Sequence, residues 1–369
     1  MYFLTGLQFD SAESNSHHLL ILIMNNETDY LLAQKYNILS QQLTKYLGSL
    51  LYLLCLFGTL MNILTFSQRI YTCRACSLYL LFASVCDLTH LNAGALSNIL
   101  DYGFLYRWNL PSSLYCSIKN YIVYYFTIVS GTLTVLASFD RFFLSSSNNY
   151  FWSFSSRRIA KYCIRTILIF WFFLSLPISL CSQRRIHSSG NEEMICSNSL
   201  DNPLCYFTRF VYSCLIDGFL PPSIMMILGI LTSRNARLLY RRAPSERTST
   251  INQQLTSMLI IQSIKSIFAS YPIAIFNCYL LITRLHQKTI LMQAKENLLL
   301  QIAYLLFWSN YTSFFVYLFS SDVFRHQLMR ALKMIFLCRC CRQNKRTKNI
   351  RRPKSKRMHI ERMTNVARQ

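Results

Sequence analysis

Val135-Leu136-Ala137-Ser138-Phe139-Asp140-Arg141-Phe142-Phe143-Leu144 closes an apolar run that starts at Leu114, and the charged pair inside it decides how the run is read. Residues 114–144 are more than enough to cross ~30 Å of hydrocarbon, which takes roughly 20 helical residues. An acid and an arginine side by side where such a helix meets water are costly, although a charge near a helix end can snorkel to the interface. Cost alone therefore assigns no role. Cys116 at the head of the same run, and a long polar-aromatic helix between the two, argue for a signalling helix over a plain anchor.

Six more apolar stretches flank this one, at 46–67, 77–100, 159–181, 206–232, 254–282 and 298–320. Composition agrees. Of 369 residues 52% are hydrophobic and only 14% charged, with 26 Phe and 23 Tyr, whereas a soluble domain carries about 25% charged residues. In lipid the backbone satisfies its hydrogen bonds only in helices or a closed barrel, and these runs lack the period-two alternation of barrel strands. The expected fold is an all-α membrane protein, a seven-transmembrane helix bundle.

Lysine and arginine orient it. Arg69 and Arg74 follow the first stretch, Arg157, Arg158 and Lys161 the third, and Arg234, Arg237, Arg241, Arg242 and Arg247 the fifth. The segment before the first stretch instead carries Asp10, Glu13, Glu27 and Asp29 against Lys35 and Lys45. The reading is an extracellular segment at 1–45, the bundle at 46–320, and a cytoplasmic C-terminus, consistent with a plasma-membrane protein. Phe324, Leu328, Leu332 and Ile335 recur at helical spacing between bases, which predicts an amphipathic membrane-surface helix over 322–337. The basic tail at 338–369 then meets anionic lipid or cytosolic proteins, and no nucleic-acid partner is expected.

The run Leu19–Met24 is too short to span and lacks the flanks of a signal peptide. Asn26-Glu27-Thr28 is a glycosylation sequon on the outer side. Most of the 14 cysteines sit in apolar stretches as small hydrophobes. Cys116 and Cys196 fall on the oxidising side and form the favoured disulfide, while Cys181 and Cys205, also near the outer face, leave another pairing open. Cys338, Cys340 and Cys341 are candidates for palmitoylation.

Polar groups inside the spans need partners. Asp87 lies mid-way along the second stretch, where an ionised carboxylate costs ~2.5–3.5 kcal/mol on insertion scales. Asn62, Ser130, Ser309, Asn310 and Ser313 are expected to face it, forming a polar pocket that could hold water or a sodium ion. Lys265, two turns before Pro272, is the oddest intramembrane residue, and its ammonium is expected to approach Asp87 and stand in for a cation. Asp87 and Lys265 are the midplane charges on this reading. Pro222 and Pro272 each remove a backbone donor and mark hinges. No HExxH, P-loop, GxSxG or ligand-spaced Cys/His cluster is present, so neither catalysis nor a cofactor is expected.

The ordered set of these features resembles rhodopsin-like (family A) G protein-coupled receptors. It comprises Gly58-Thr59-Leu60-Met61-Asn62, Ala83-Ser84-Val85-Cys86-Asp87-Leu88, Trp108 before Cys116, Asp140-Arg141-Phe142, Trp171, Pro222 or Pro221, Pro272, and Tyr317 followed by Phe324-Arg325. Within that family it looks most like invertebrate neuropeptide receptors of the FMRFamide-receptor-like kind. The resemblance implies an extracellular ligand and a heterotrimeric G protein as partners. It implies that Asp140 holds Arg141 at rest, that Asp87 and Ser130 line a sodium pocket, and that Tyr317 steadies the active arrangement. Departures are visible: Ser313-Phe314 stands where the family has Asn-Pro, Ser270 where a tryptophan switch is common, and no acid from the sixth stretch is placed to clasp Arg141. Val123 replaces the aspartate of amine receptors and Phe307 the retinal lysine of opsins. The remaining mouth, with Asp101, Tyr124, Thr127, Glu192, Glu193, Asp201 and Asn277, is mildly acidic and aromatic and would suit a short basic peptide. A seven-helix transporter or ion-conducting chemosensory protein, and a receptor-like protein that no longer couples, remain as alternatives.

Overall fold

A computed structural model describes residues 27–106, 113–146, 149–187, 193–198, 202–242, 250–283 and 286–333. Asn26, Trp108, Glu192, Asp201, Cys338, Cys340 and Cys341 lie outside these residues, and only the backbone is described at Glu193 and Cys196.

Eight helices and one hairpin dominate the described residues. They are α1 (Glu27–Phe66), α2 (75–103), α3 (Ser113–Ser145), α4 (Arg157–Leu174, continued by Leu176–Cys181), β1 (Ser182–His187), β2 (Glu193–Asn198), α5 (203–242), α6 (Thr250–Ile282), α7 (Ile290–Ser320) and α8 (322–333). Single helical turns at Arg69–Thr72 and Asn149–Trp152 fill the α1–α2 and α3–α4 connections. The two strands pair antiparallel, Ser182 opposite Asn198.

Local chemistry sets several of these ends. Ser156 accepts from the Ile159 amide to start α4, and Thr289 accepts from the Met292 amide to start α7. Asn202 accepts from the Leu204 amide at 2.9 Å ahead of Pro203, the proline-at-first-turn arrangement that a helix tolerates best. Two boundaries differ from the sequence reading. The first helix is already formed at residue 27, where the described residues start, so part of the segment read as an extracellular lead is continuous with α1. The seventh begins at Ile290, capped by Thr289 well before its apolar stretch. The surface helix is described as far as residue 333.

Six of the helices are long and apolar enough to cross a membrane by length and composition; α2 is not among them. That helix carries Asp87, His90, Asn92, Asn98 and Asp101. It makes its most extensive contact with α3, the centre of the bundle, so its polar groups have protein partners. The molecule is turned inside out relative to a soluble protein. Asn62, His90, Ser130, Asp140, Arg141, Gln262 and Ser270 are buried, while Leu53, Phe57, Phe170, Phe173 and Phe268 point outward. Lipid makes that distribution favourable.

The inner half is held by an aromatic cluster. Phe66 meets Tyr317 at 5.7 Å and Phe324 at 5.6 Å between ring centres, which ties α1, α7 and α8 together. In α5 the segment Val211–Phe219 is wound as a π-helix, and α6 carries Pro272 in its interior. Next to the π segment, α5 and α6 approach so closely at Gly218 that a Cβ there would sit 2.4 Å from Cβ of Ala274. Only glycine fits without displacing α6.

Candidate functional site

Two buried polar sites stack along the bundle. The inner one is at the end of α3. Asp140 and Arg141 are each 4% exposed and form an ion pair, with Arg141 donating through both Nε and Nη2 to Asp140 Oδ2. The other carboxylate oxygen, Oδ1, accepts from Ser155 Oγ at 2.5 Å, so the α3–α4 connection is drawn under the pair. Such a doubly held, charge-assisted contact is stiff, and removing either partner would strand a buried charge. Arg74, at the start of α2, faces the same inner surface. Burial holds its guanidinium below the ordinary value, and the nearby positive charge of Arg141 acts in the same direction. Phe142 is half-buried and packs on Phe143, and Tyr317 lies in the aromatic cluster above.

No acid clasps Arg141 from α6. Instead Gln254, near the inner end of α6, accepts from Ser321 Oγ at 2.7 Å and from the Val323 amide at 2.9 Å. Ser321 in turn accepts from the Phe324 amide, capping α8. This amide, absent from the sequence reading, ties α6 to the α7–α8 turn.

The second site is a cavity of about 70 Å³ at mid-depth, walled by α2, α3, α5, α6 and α7. Ser130 donates to Asp87. Lys265 donates to the backbone carbonyls of Ser309 (3.2 Å) and Asn310 (2.8 Å), within electrostatic reach of Asp87. Those carbonyls belong to a 3-10 turn, Ser309–Thr312, that interrupts α7. Ser309 therefore takes part through its backbone, while its hydroxyl bonds within its own helix. Asn62 donates to Ser313 at 3.1 Å, and both lie outside the cavity wall. Asn310 lines the wall and donates to Ser270 at 2.8 Å, in the place where the family resemblance leads one to expect a tryptophan. Pro221 and Pro222 also line it.

Two cavity-level acids exist where the sequence reading counted one. Asp217, on the π-wound part of α5, lines the wall together with Asp87. Its signal was an acid inside the fifth apolar stretch, four residues before Pro221. His90 was missed as well. It is buried, bonds the Thr127 hydroxyl and lies 5.1 Å from the Tyr311 ring. Its position three residues after Asp87, on the same helix face, was a readable signal.

The mouth needs correction. Thr127 is not at the mouth: it is buried beside His90 and lines the mid-depth cavity, because it lies one turn deeper on α3 than Val123. Asp101 is held by Lys119 at 3.0 Å, so its charge is matched within the protein. Tyr124 is half-buried, 3.4 Å from Ser213, and Asn277 is half-buried on α6. Near the outer ends of α6 and α7, Glu296 accepts from Lys288 (2.7 Å) and Tyr279 (2.9 Å). Above them Cys181 is bonded to Cys205, which joins the end of α4 to the start of α5. Cys116 is also disulfide-bonded.

The family model of the seven-transmembrane receptors (rhodopsin family) matches residues 58–313. The chain belongs to that family. No curated protein matches it. As a rhodopsin-family G protein-coupled receptor it is a multi-pass membrane protein whose family works between an extracellular ligand and a G protein. In this receptor the inner site carries the acidic–basic pair at the end of α3, and the cavity wall carries Ser270 from α6 and Asn310 from α7, bonded to each other.

Proposed function

We propose that this receptor sits in the plasma membrane with its N-terminus outside and couples a short, basic neuropeptide to a heterotrimeric G protein. The observation that carries the reading is the buried Asp140–Arg141 pair, closed from below by Ser155. A guanidinium held in that way is stable only while its carboxylate and its seal stay in place, so a G protein that engages the inner surface must supply the guanidinium with replacement partners. Agonist binding then acts as a population shift: a ligand ten to a hundred times tighter for the open state contributes ~1.4–2.7 kcal/mol. Pro272 in α6 and Pro222 in α5 are the hinges of that movement, and Tyr317 packs against Phe66 on the side that stays. The peptide reading is supported by the missing amine counter-ion at Val123 and by the aromatic, polar surround of Tyr124 and Asn277. Asp101, paired with Lys119, contributes less to steering than its sequence suggested.

The test uses purified receptor in lipid nanodiscs with a heterotrimeric G protein and a panel of basic amidated peptides. Stimulated nucleotide exchange is expected for the receptor and lost in Arg141→Ala, with peptide binding retained. Exchange that survives Arg141→Ala overturns the coupling role. Binding without any exchange in the unaltered receptor would identify a receptor-like protein that no longer couples.

A further inference from the structure

We propose that the mid-depth cavity binds a sodium ion at Asp217 on α5, and not at Asp87. Two carboxylates, Asp87 and Asp217, line the cavity, and one ammonium, Lys265, adjoins it. The ammonium is committed to the Asp87 side: it is anchored on the α7 carbonyls, and Asp87 is also bonded by Ser130. The residues around Asp87 thus supply their own cation, which does not fit a sodium ion at the family's usual place. Asp217 has no hydrogen bond or ion pair among the described residues. Two acids and one base leave one negative charge in a low-dielectric interior, which is costly unless neutralised.

The lining says what neutralises it. Gln262 is 7% exposed, and its Oε1 is buried without a donor; Asn310 Oδ1 is likewise buried without a donor. Both residues are in the cavity wall with Asp217, and Ser270 is there as well. A proton on Asp217 would supply one donor against two orphaned carbonyl oxygens. A metal ion satisfies several oxygens at once. Carboxylate, carbonyl and hydroxyl oxygens select hard cations of the sodium, magnesium and calcium type, and a single uncompensated charge selects the monovalent one. The volume agrees. About 70 Å³ holds roughly five waters or a partly hydrated ion at roughly 10–15 Å³ each, and is small against the ~300–1,000 Å³ of pockets for organic ligands. The π winding at Val211–Phe219 and the close approach at Gly218 put Asp217 beside α6, so this site is built by the irregular part of α5.

The test is thermal melting of the full-length receptor in detergent, without G protein or peptide, in sodium, potassium or N-methylglucamine chloride at equal ionic strength and pH. Sodium is expected to raise the midpoint in a saturable way, with Asp217→Asn abolishing the shift and Asp87→Asn retaining it. Gln262→Met keeps both carboxylates and is expected to weaken the half-saturating sodium concentration about tenfold; it serves if Asp217→Asn does not fold. A shift lost in Asp87→Asn but kept in Asp217→Asn, an unchanged midpoint curve in Gln262→Met, or a midpoint that follows pH and ignores sodium would each overturn the proposal. The measurement involves no signalling, so it stands or falls separately from the coupling role.

Discussion

The inner end of α3 and the cavity at mid-depth both bury charge, yet they settle it by opposite means. At the inner end the two charges are neighbours in sequence, and both carboxylate oxygens have donors, Arg141 on one and Ser155 on the other. At mid-depth the charges come from α2, α5 and α6, and acceptors outnumber donors. The first site is a closed contact that must be broken to act. The second is an open shell that must be filled to be stable. A bundle that pivots on α6 adjoins the cavity through Lys265 and holds the α7–α8 turn through Gln254, little more than ten residues earlier on the same helix.

The largest effect that would break this contrast is expected at the closed contact. Arg141→Ala should cost about 3–5 kcal/mol by stranding Asp140, read as a lowered melting midpoint, and should abolish stimulated exchange. Combining Asp140→Leu with Arg141→Met should recover most of the stability and none of the signalling, because an apolar pair of similar volume replaces a buried ion pair at little net cost. A double variant as unstable as Arg141→Ala would show that the pair is not closed on itself.

At mid-depth, Lys265→Met and Asp87→Asn are each expected to lower stability, and a double-mutant cycle should return a coupling of ~0.5–3 kcal/mol. Costs that simply add would mean the ammonium does not serve Asp87. Between the two sites, Gln254→Ala strips the acceptor from Ser321 and the Val323 amide. At roughly 1 kcal/mol this should raise ligand-independent exchange about fivefold; unchanged basal exchange would remove Gln254 as the hold on α6. Ser155→Ala should give the smallest change, about 0.5–1 kcal/mol and a basal rise of only a few fold, checked in the same assay.

Much of the architecture was legible in the chain because lipid imposes it. Seven apolar runs, the basic loops, Asp140-Arg141 and the Asp87–Ser130 contact are all features whose physics is local or whose choice of partners inside a bundle is small. Lys265 was recognisable as misplaced in lipid and does approach Asp87. Thr127 was misassigned because depth along a helix depends on where the helix begins and how it tilts, which hydropathy does not give. Gln254 and Gln262 gave no signal: an amide in an apolar run is unremarkable until its neighbours from other helices are known.

The sequence by itself determined that this chain crosses a membrane as helices, which ends are basic, and which charges lipid would not tolerate alone, because an apolar solvent penalises each unsatisfied group wherever the chain goes. Only the tertiary structure decided which groups answer one another. Winding α5 as a π-helix and bringing Gly218 against Ala274 turned Asp217 into a wall of the same cavity as Asp87. The 3-10 turn in α7 freed the carbonyls that hold Lys265. Those partnerships depend on the rotation and approach of whole helices, set by packing among residues far apart in the chain.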